Sequence, residues 1–91
     1  MKLEDKKVIL KKIKRLPDQI ENYTICSFKK DRSIKAYTQN TEKGRIYFLH
    51  EEGYETQTFM FTEKKEFHKQ MKKLIEKEFP RSHKLYVHQQ F

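Results

Sequence analysis

The chain has 91 residues, of which 35% are hydrophobic and 37% charged, and its net charge is +8. This length allows one hydrophobic core and not two, so we predict a single domain over residues 1–91. No apolar run approaches the roughly 18 residues that cross a bilayer, no signal segment is recognisable, and the lone Cys26 excludes an internal disulfide. We therefore predict a cytoplasmic protein that makes no membrane contact.

The first predicted element is a helix over residues 3–16. Ile9, Ile13 and Leu16 recur at the spacing that places side chains on one face of a helix. Pro17 either ends the helix, because proline disfavours α geometry in the residue before it, or starts a short second turn over residues 17–22, because proline suits a first helical turn. This helix therefore has one apolar face to bury.

Four strands follow, because the pattern changes to β-branched and aromatic residues interrupted by turn clusters. The last two turns contain Gly44 and Gly53, which suit tight hairpins. We therefore predict an antiparallel meander. Its strands are predicted near residues 23–30, 34–40, 45–51 and 54–61.

A second helix begins after Thr62, whose side chain can cap it, and Pro80 ends it. Residues 85–88 form a final strand at an edge of the sheet. The fold class is therefore α+β, with an antiparallel sheet of four to five strands, both helices packed on one face, and the order α-β-β-β-β-α-β. The buried stripe of the second helix is Phe67, Met71, Leu74, Ile75 and Phe79.

No motif indicates catalysis or cofactor binding. With two glycines in the chain, the glycine-rich loops that hold phosphates cannot form. The four histidines lie on different elements without the spacing of a zinc site, and His50-Glu51-Glu52 is predicted to be a solvated turn. We predict a non-enzymatic protein that has no metal and no cofactor.

The positive charge is concentrated at the two ends of the chain. Residues 1–16 carry seven basic and two acidic side chains, a net of +5, and residues 63–91 carry eight and four, a net of +4. In both helices the cations repeat at the i, i+4, i+7, i+8 spacing, opposite the apolar stripe. Such stripes fit a phosphate backbone if the helices lie side by side. The stripe residues are Lys7, Lys11, Lys14, Arg15, Lys65, Lys69, Lys72 and Lys73.

The sheet offers a second candidate surface. If Ile46, Phe48, Phe59 and Phe61 form the core face, the opposite face carries aromatic and cationic side chains that could stack unpaired bases. On this interpretation Arg45 and Tyr47 contact nucleic acid. Companions on the same face would be Lys35, Tyr37, Leu49, Tyr54, Thr56 and Thr58.

The sequence therefore predicts a small, basic nucleic-acid-binding domain that contacts phosphates, and leaves DNA or RNA open. The alternative is a protein-interaction module, an adaptor or inhibitor, that docks an acidic partner. Such a module could also pair with a partner, or form a homodimer, through the exposed edge of the last strand.

Overall fold

The computed structural model of the chain describes residues 2–91, and within them a short 3₁₀ turn, Ile13–Arg15, extends the first helix. The strands and helices are β1 (Lys2–Asp5), α1 (Lys6–Lys12), β2 (Asn22–Cys26), β3 (Ser33–Thr41), β4 (Gly44–Glu52), β5 (Thr56–Phe61), α2 (Lys64–Glu78) and β6 (Lys84–Gln90).

The strands form one antiparallel sheet in the order β1-β6-β2-β3-β4-β5. The α+β class is confirmed. The strand count differs from the prediction, because residues 2–91 contain six strands and the order becomes β-α-β-β-β-β-α-β.

The additional strand is β1, where the sequence predicted the start of a helix. It pairs with β6, with Leu3 opposite Tyr86 and Glu4 opposite Leu85. The Asp5 carboxylate then accepts a hydrogen bond from the Lys7 backbone N–H at 2.8 Å, so the helix begins one residue after Asp5. The strand forms by pairing with residues that lie 79 to 85 positions further along the chain, and no local pattern reveals such a partner.

The last strand is not an edge strand, which corrects the predicted open edge of β6. Strand β6 pairs with β1 on one side and with β2 on the other. The two edges of the sheet are β1 and β5.

Helix α2 closely matches its prediction. Its apolar stripe is buried as expected, and it ends at Glu78, directly before Phe79 and Pro80. The start differs, because Glu63 occupies the N-cap position without a capping side-chain bond and Thr62 lies one residue earlier.

One hydrophobic core joins both helices to one face of the sheet. The predicted apolar residues of α1 and its 3₁₀ extension are buried in it, and the side chains from the sheet alternate in and out along each strand. The sheet contributes chiefly Tyr23, Ile25, Ile34, Ala36, Tyr47, Leu49, Leu85 and Val87. The two-layer arrangement leaves the other face, which we call the open face, without a covering helix.

The predicted face of β4 is wrong. Tyr47 and Leu49 point into the core, whereas Ile46 and Phe48 lie on the open face and are half-buried there. For β5 the assignment is right, because Phe59 and Phe61 pack against the core. None of the helices in the described part of the chain is sufficiently long and apolar to span a membrane.

Candidate nucleic-acid interface

Cationic side chains from both helices converge in one groove. Two depressions of about 500 and 580 Å³ adjoin each other and share Lys14 and Lys72. Leu10 lies on the floor and Glu76 on the rim of the second depression. We call this feature the interhelix groove and define it by Lys11, Lys14, Arg15, Lys65, His68, Lys69, Lys72 and Lys73.

The groove follows from the two amphipathic helices. Ile9 and Ile13 on one side, and Phe67 and Met71 on the other, are drawn into the same core. The lysines on the flanks of the two helices must then lie along the line where the helices meet. The two predicted stripes are thereby brought together, except for Lys7.

Lys7 lies just beyond the groove. It lines a neighbouring depression of about 700 Å³ together with Lys6, Arg81 and His83, and this depression shares Leu10 with the groove. Asp5 and Glu76 also line this depression, so basic and acidic side chains are mixed between the groove and the start of β6.

The cations of the groove differ from most other lysines on the helices, Lys7 excepted, in having no acidic partner among the described residues. Within residues 2–91, none of the seven groove cations, six lysines and Arg15, forms an ion pair. Elsewhere on the helices, Lys12 pairs with Glu4 at 2.8 Å and Lys77 with Glu55 at 2.9 Å. On the rim of the groove, the Glu76 carboxylate lies 3.5 Å from Lys6. The groove therefore concentrates positive charge that the chain does not neutralise.

His68 belongs to the groove although it was not among the predicted site residues. Its side chain is half-buried, and burial, together with the nearby charges of Lys64 and Lys72, lowers the pKa of His68, while Asp18 opposes this shift. A signal was present, because His68 precedes Lys72 by four residues and so shares its helix face.

Tyr47 does not lie where the sheet platform requires it. It is 7% exposed, and its ring stacks on that of Phe67 with the centroids 4.9 Å apart. Arg45 lies on the same helix-covered side of the sheet, where its guanidinium donates to the Asn40 side-chain oxygen at 3.1 Å and approaches Asp18 at 4.0 Å. The structure therefore corrects the placement of both residues on the open face.

The open face has aromatic residues, but their rings face each other. Tyr37 and Phe48 stack with centroids 4.9 Å apart and planes inclined by 7°. The Lys35 ammonium lies 5.8 Å from the Tyr37 ring. The ring faces on which a base would stack are thus partly occupied by contacts within the protein.

A buried pair of carboxyl groups was not anticipated from the sequence. Glu51, expected in a solvated turn, and Glu78 of α2 are both 0% exposed, and each carboxyl group shifts the pKa of the other. Gln57 donates to Glu51 at 2.7 Å, and the Tyr54 N–H donates to both carboxyl oxygens of Glu78 at 3.2 Å. We call Glu51 and Glu78 the buried carboxyl pair.

The contacts of this pair give it a structural role. Burial raises the pKa of Glu78, and so does the neighbouring carboxyl group of Glu51. For Glu51 burial acts in the same direction, but the contacts from Glu78, Gln57 and Lys77 outweigh it and hold its pKa below the ordinary value. Since no substrate reaches a fully buried group, we assign the pair to joining α2 with the β4–β5 hairpin.

Among residues 2–91, no three His, Cys, Asp or Glu side chains come together as a metal-ion site. Comparison with models of protein families, with curated proteins and with solved structures finds no match to this chain.

Proposed function

We propose that the chain is a non-enzymatic nucleic-acid-binding domain that holds phosphates in the interhelix groove. The observation that carries this proposal is the convergence of seven cations from two helices without a single ion pair among the described residues. Maintaining unpaired like charges side by side opposes folding. An external polyanion offsets this cost.

The groove chemistry favours backbone contacts over base reading. Lysine ammonium groups act as mobile point charges that suit phosphate oxygens. Their neutralisation of phosphates releases counterions, which drives binding without regard to sequence. The lining residues include no Asn or Gln, the side chains that pair with adenine edges. We therefore expect broad binding with little sequence preference.

The direct test is fluorescence anisotropy with labelled single- and double-stranded DNA and RNA of one length across a salt series. Binding through the groove predicts an affinity that falls log-linearly with salt, and each phosphate neutralised on duplex DNA contributes a slope of about −0.9. The ranking of the four ligands identifies the preferred form of nucleic acid. An absence of binding at about 50 mM salt, where screening is weak, would overturn the proposal.

A pair of triple variants separates the groove from the overall charge. Lys14, Lys69 and Lys72 are changed to Glu in the first, which we expect to weaken binding by at least about tenfold. The control changes an equal number of exposed lysines away from the groove, so both variants have the same net charge. The control substitutions are Lys29→Glu, Lys35→Glu and Lys84→Glu.

We expect the control to retain most of the affinity, with both proteins keeping the circular dichroism spectrum of the wild type. Equal losses in the two variants would show that net charge, and not the groove, carries binding. A larger loss in the control, two of whose lysines lie on the open face, would move the site to that face.

A further inference from the structure

The two edges of the sheet differ in charge. Strand β1 has the sequence Lys-Leu-Glu-Asp and carries three charges in four residues. Strand β5 has the sequence Thr-Gln-Thr-Phe-Met-Phe and carries none in six. Charged side chains are a common means of blocking unwanted pairing at an edge strand. Edge β1 is therefore protected in this way, and edge β5 is open to another strand.

We propose that two copies of the chain associate by antiparallel pairing of β5 with β5 about a two-fold axis normal to the sheet. The product is a continuous sheet of twelve strands. A neutral strand can pair with itself without opposing like charges, which matters in a protein with a net charge of +8. The charged β1 at the far edge disfavours head-to-tail growth, so the assembly closes as a dimer.

This pairing keeps the apolar residues of β5 on matching faces. Directly opposed residues in an antiparallel pair point to the same side of the sheet, so Phe59 and Phe61 of both copies lie on the helix-covered side. Both are only half-buried at the edge, where they pack against the core. Met60, 63% exposed, lies with its counterpart on the open face. A second β5 would thus cover apolar surface on both faces.

The flank of α2 above this edge is complementary to itself in charge. His68 and Lys72 face the interhelix groove, whereas Lys77 contacts Glu51 and Glu55 on the other flank. By the periodicity of the helix this flank bears acids in its first half and a lysine in its second. Its charged residues are Glu63, Glu66 and Lys77.

The spacing of the strands lets these groups meet. Helix α2 packs over β4 and the strands beside it, and three strand spacings separate β4 from its counterpart in the second copy. At about 4.8 Å each, the two α2 helices lie about 14 Å apart. Long Glu and Lys side chains bridge this distance. Because the two-fold axis makes the helices antiparallel, the acidic half of each faces the lysine half of the other.

The symmetry also determines where the two grooves point. An axis normal to the sheet leaves both helical layers on the same side, so the two interhelix grooves face the same direction. One long nucleic acid could then occupy both, which raises the effective affinity without new contacts. This last consequence rests on the proposed function, whereas the dimer does not.

Sedimentation equilibrium of the full chain at physiological ionic strength, without nucleic acid, tests the proposal. We expect twice the monomer mass of 11.3 kDa at high concentration. Met60→Lys, alone and combined with Thr58→Lys, places lysines against each other across the axis and should raise the dissociation constant at least about tenfold. Both residues are exposed, so the monomer fold is retained.

The matched control is Leu3→Lys, an exposed apolar residue on the same face of the other edge strand. It should leave the dimer intact. A wild type that stays monomeric up to about 1 mM, or a dimer that survives the β5 substitutions, would overturn the proposal. Neither result bears on the groove, because no nucleic acid is present.

Discussion

The interhelix groove and the buried carboxyl pair hold charged side chains in opposite ways. Glu51 and Glu78 are both fully buried, with Gln57 of β5 and Lys77 of α2 in contact with Glu51 and the Tyr54 N–H donating to Glu78. In the groove the cations are mostly exposed and have no acidic partner in the described residues. Buried charges that lose a partner cost several kcal/mol, whereas exposed ones cost little. The pair thus stabilises the fold, and the groove is free to serve a ligand.

The largest effect is expected from Gly53→Ala. A β-carbon at this position would overlap the Glu78 Oε1 and lie 2.7 Å from its Cδ, so Glu78 must leave the Tyr54 N–H. We expect a loss of about 3 kcal/mol in the free energy of unfolding, from overpacking and from unsatisfied buried groups. Urea denaturation measures it.

A double-mutant cycle shows whether this loss arises through Glu78. In a Glu78→Ala background the atoms that obstruct the new methyl group are gone, so Gly53→Ala should cost less than about 1 kcal/mol there. If the cost of Gly53→Ala is the same in both backgrounds, the contact with Glu78 is not its source.

A smaller effect is expected from the titration of the carboxyl pair. The raised pKa of Glu78 means that stability falls as the pH rises from its ordinary value of 4.5 through the raised pKa, because the buried group must ionise. The lowered pKa of Glu51 means that its contribution is lost as the pH falls below 4.5 through that lowered pKa. The pair is therefore most stabilising between the two pKa values.

Glu78→Gln removes one titration and keeps the shape. Urea unfolding from about pH 3 to pH 8 should show that the variant gains stability relative to the wild type as the pH rises above 4.5. Glu66→Gln on the exposed side of α2 serves as control and should follow the wild type. Parallel curves for the wild type and Glu78→Gln would contradict the shared role of the pair.

The smallest effect is expected in the groove. Lys69→Gln and Lys73→Gln should leave the free energy of unfolding within about 0.5 kcal/mol of the wild type, with the change directed toward greater stability at low salt because like charges are removed. Thermal unfolding at low and high salt measures this, and the gain should vanish when the charges are screened. Lys12→Gln, which breaks the pair with Glu4, should change stability in the opposite direction. A marked destabilisation by the groove variants would mean that these lysines support the fold.

Local patterns predicted the elements that are stabilised locally. The stripe Phe67, Met71, Leu74 and Ile75 repeats at helical spacing and is bounded by Pro80, so α2 and its lysine face could be read from the sequence. Bringing Lys14 next to Lys72 required only that both apolar faces share one core. This part of the candidate site follows from amphipathicity alone.

The features that the sequence did not predict correctly either depend on residues far away along the chain or come from a strand in which either face could be the buried one. Strand β1 forms because β6 lies beside it. Strand β4 has apolar residues on both faces, so alternation fits a core formed by Ile46 and Phe48 as well as one formed by Tyr47 and Leu49. Burial of Glu51 depends on Gln57, Lys77 and Glu78. The alternation of side chains along β4 therefore does not determine which of its faces is buried, and Tyr47 was assigned to the wrong face.

The position of β6 between β1 and β2 sets the order in which the sheet can assemble during translation. Both neighbours are synthesised well before it, at about 5 to 20 residues per second, yet neither can complete its pairing until residues 84–90 leave the ribosome. Until then β2, which carries Tyr23 and Ile25, is paired on the β3 side alone, and β1 has no partner at all among the described strands. The pairs of β6 with β1 and with β2 therefore form only once β6 has been made, and a chain stalled before β6 leaves this part of the sheet incomplete.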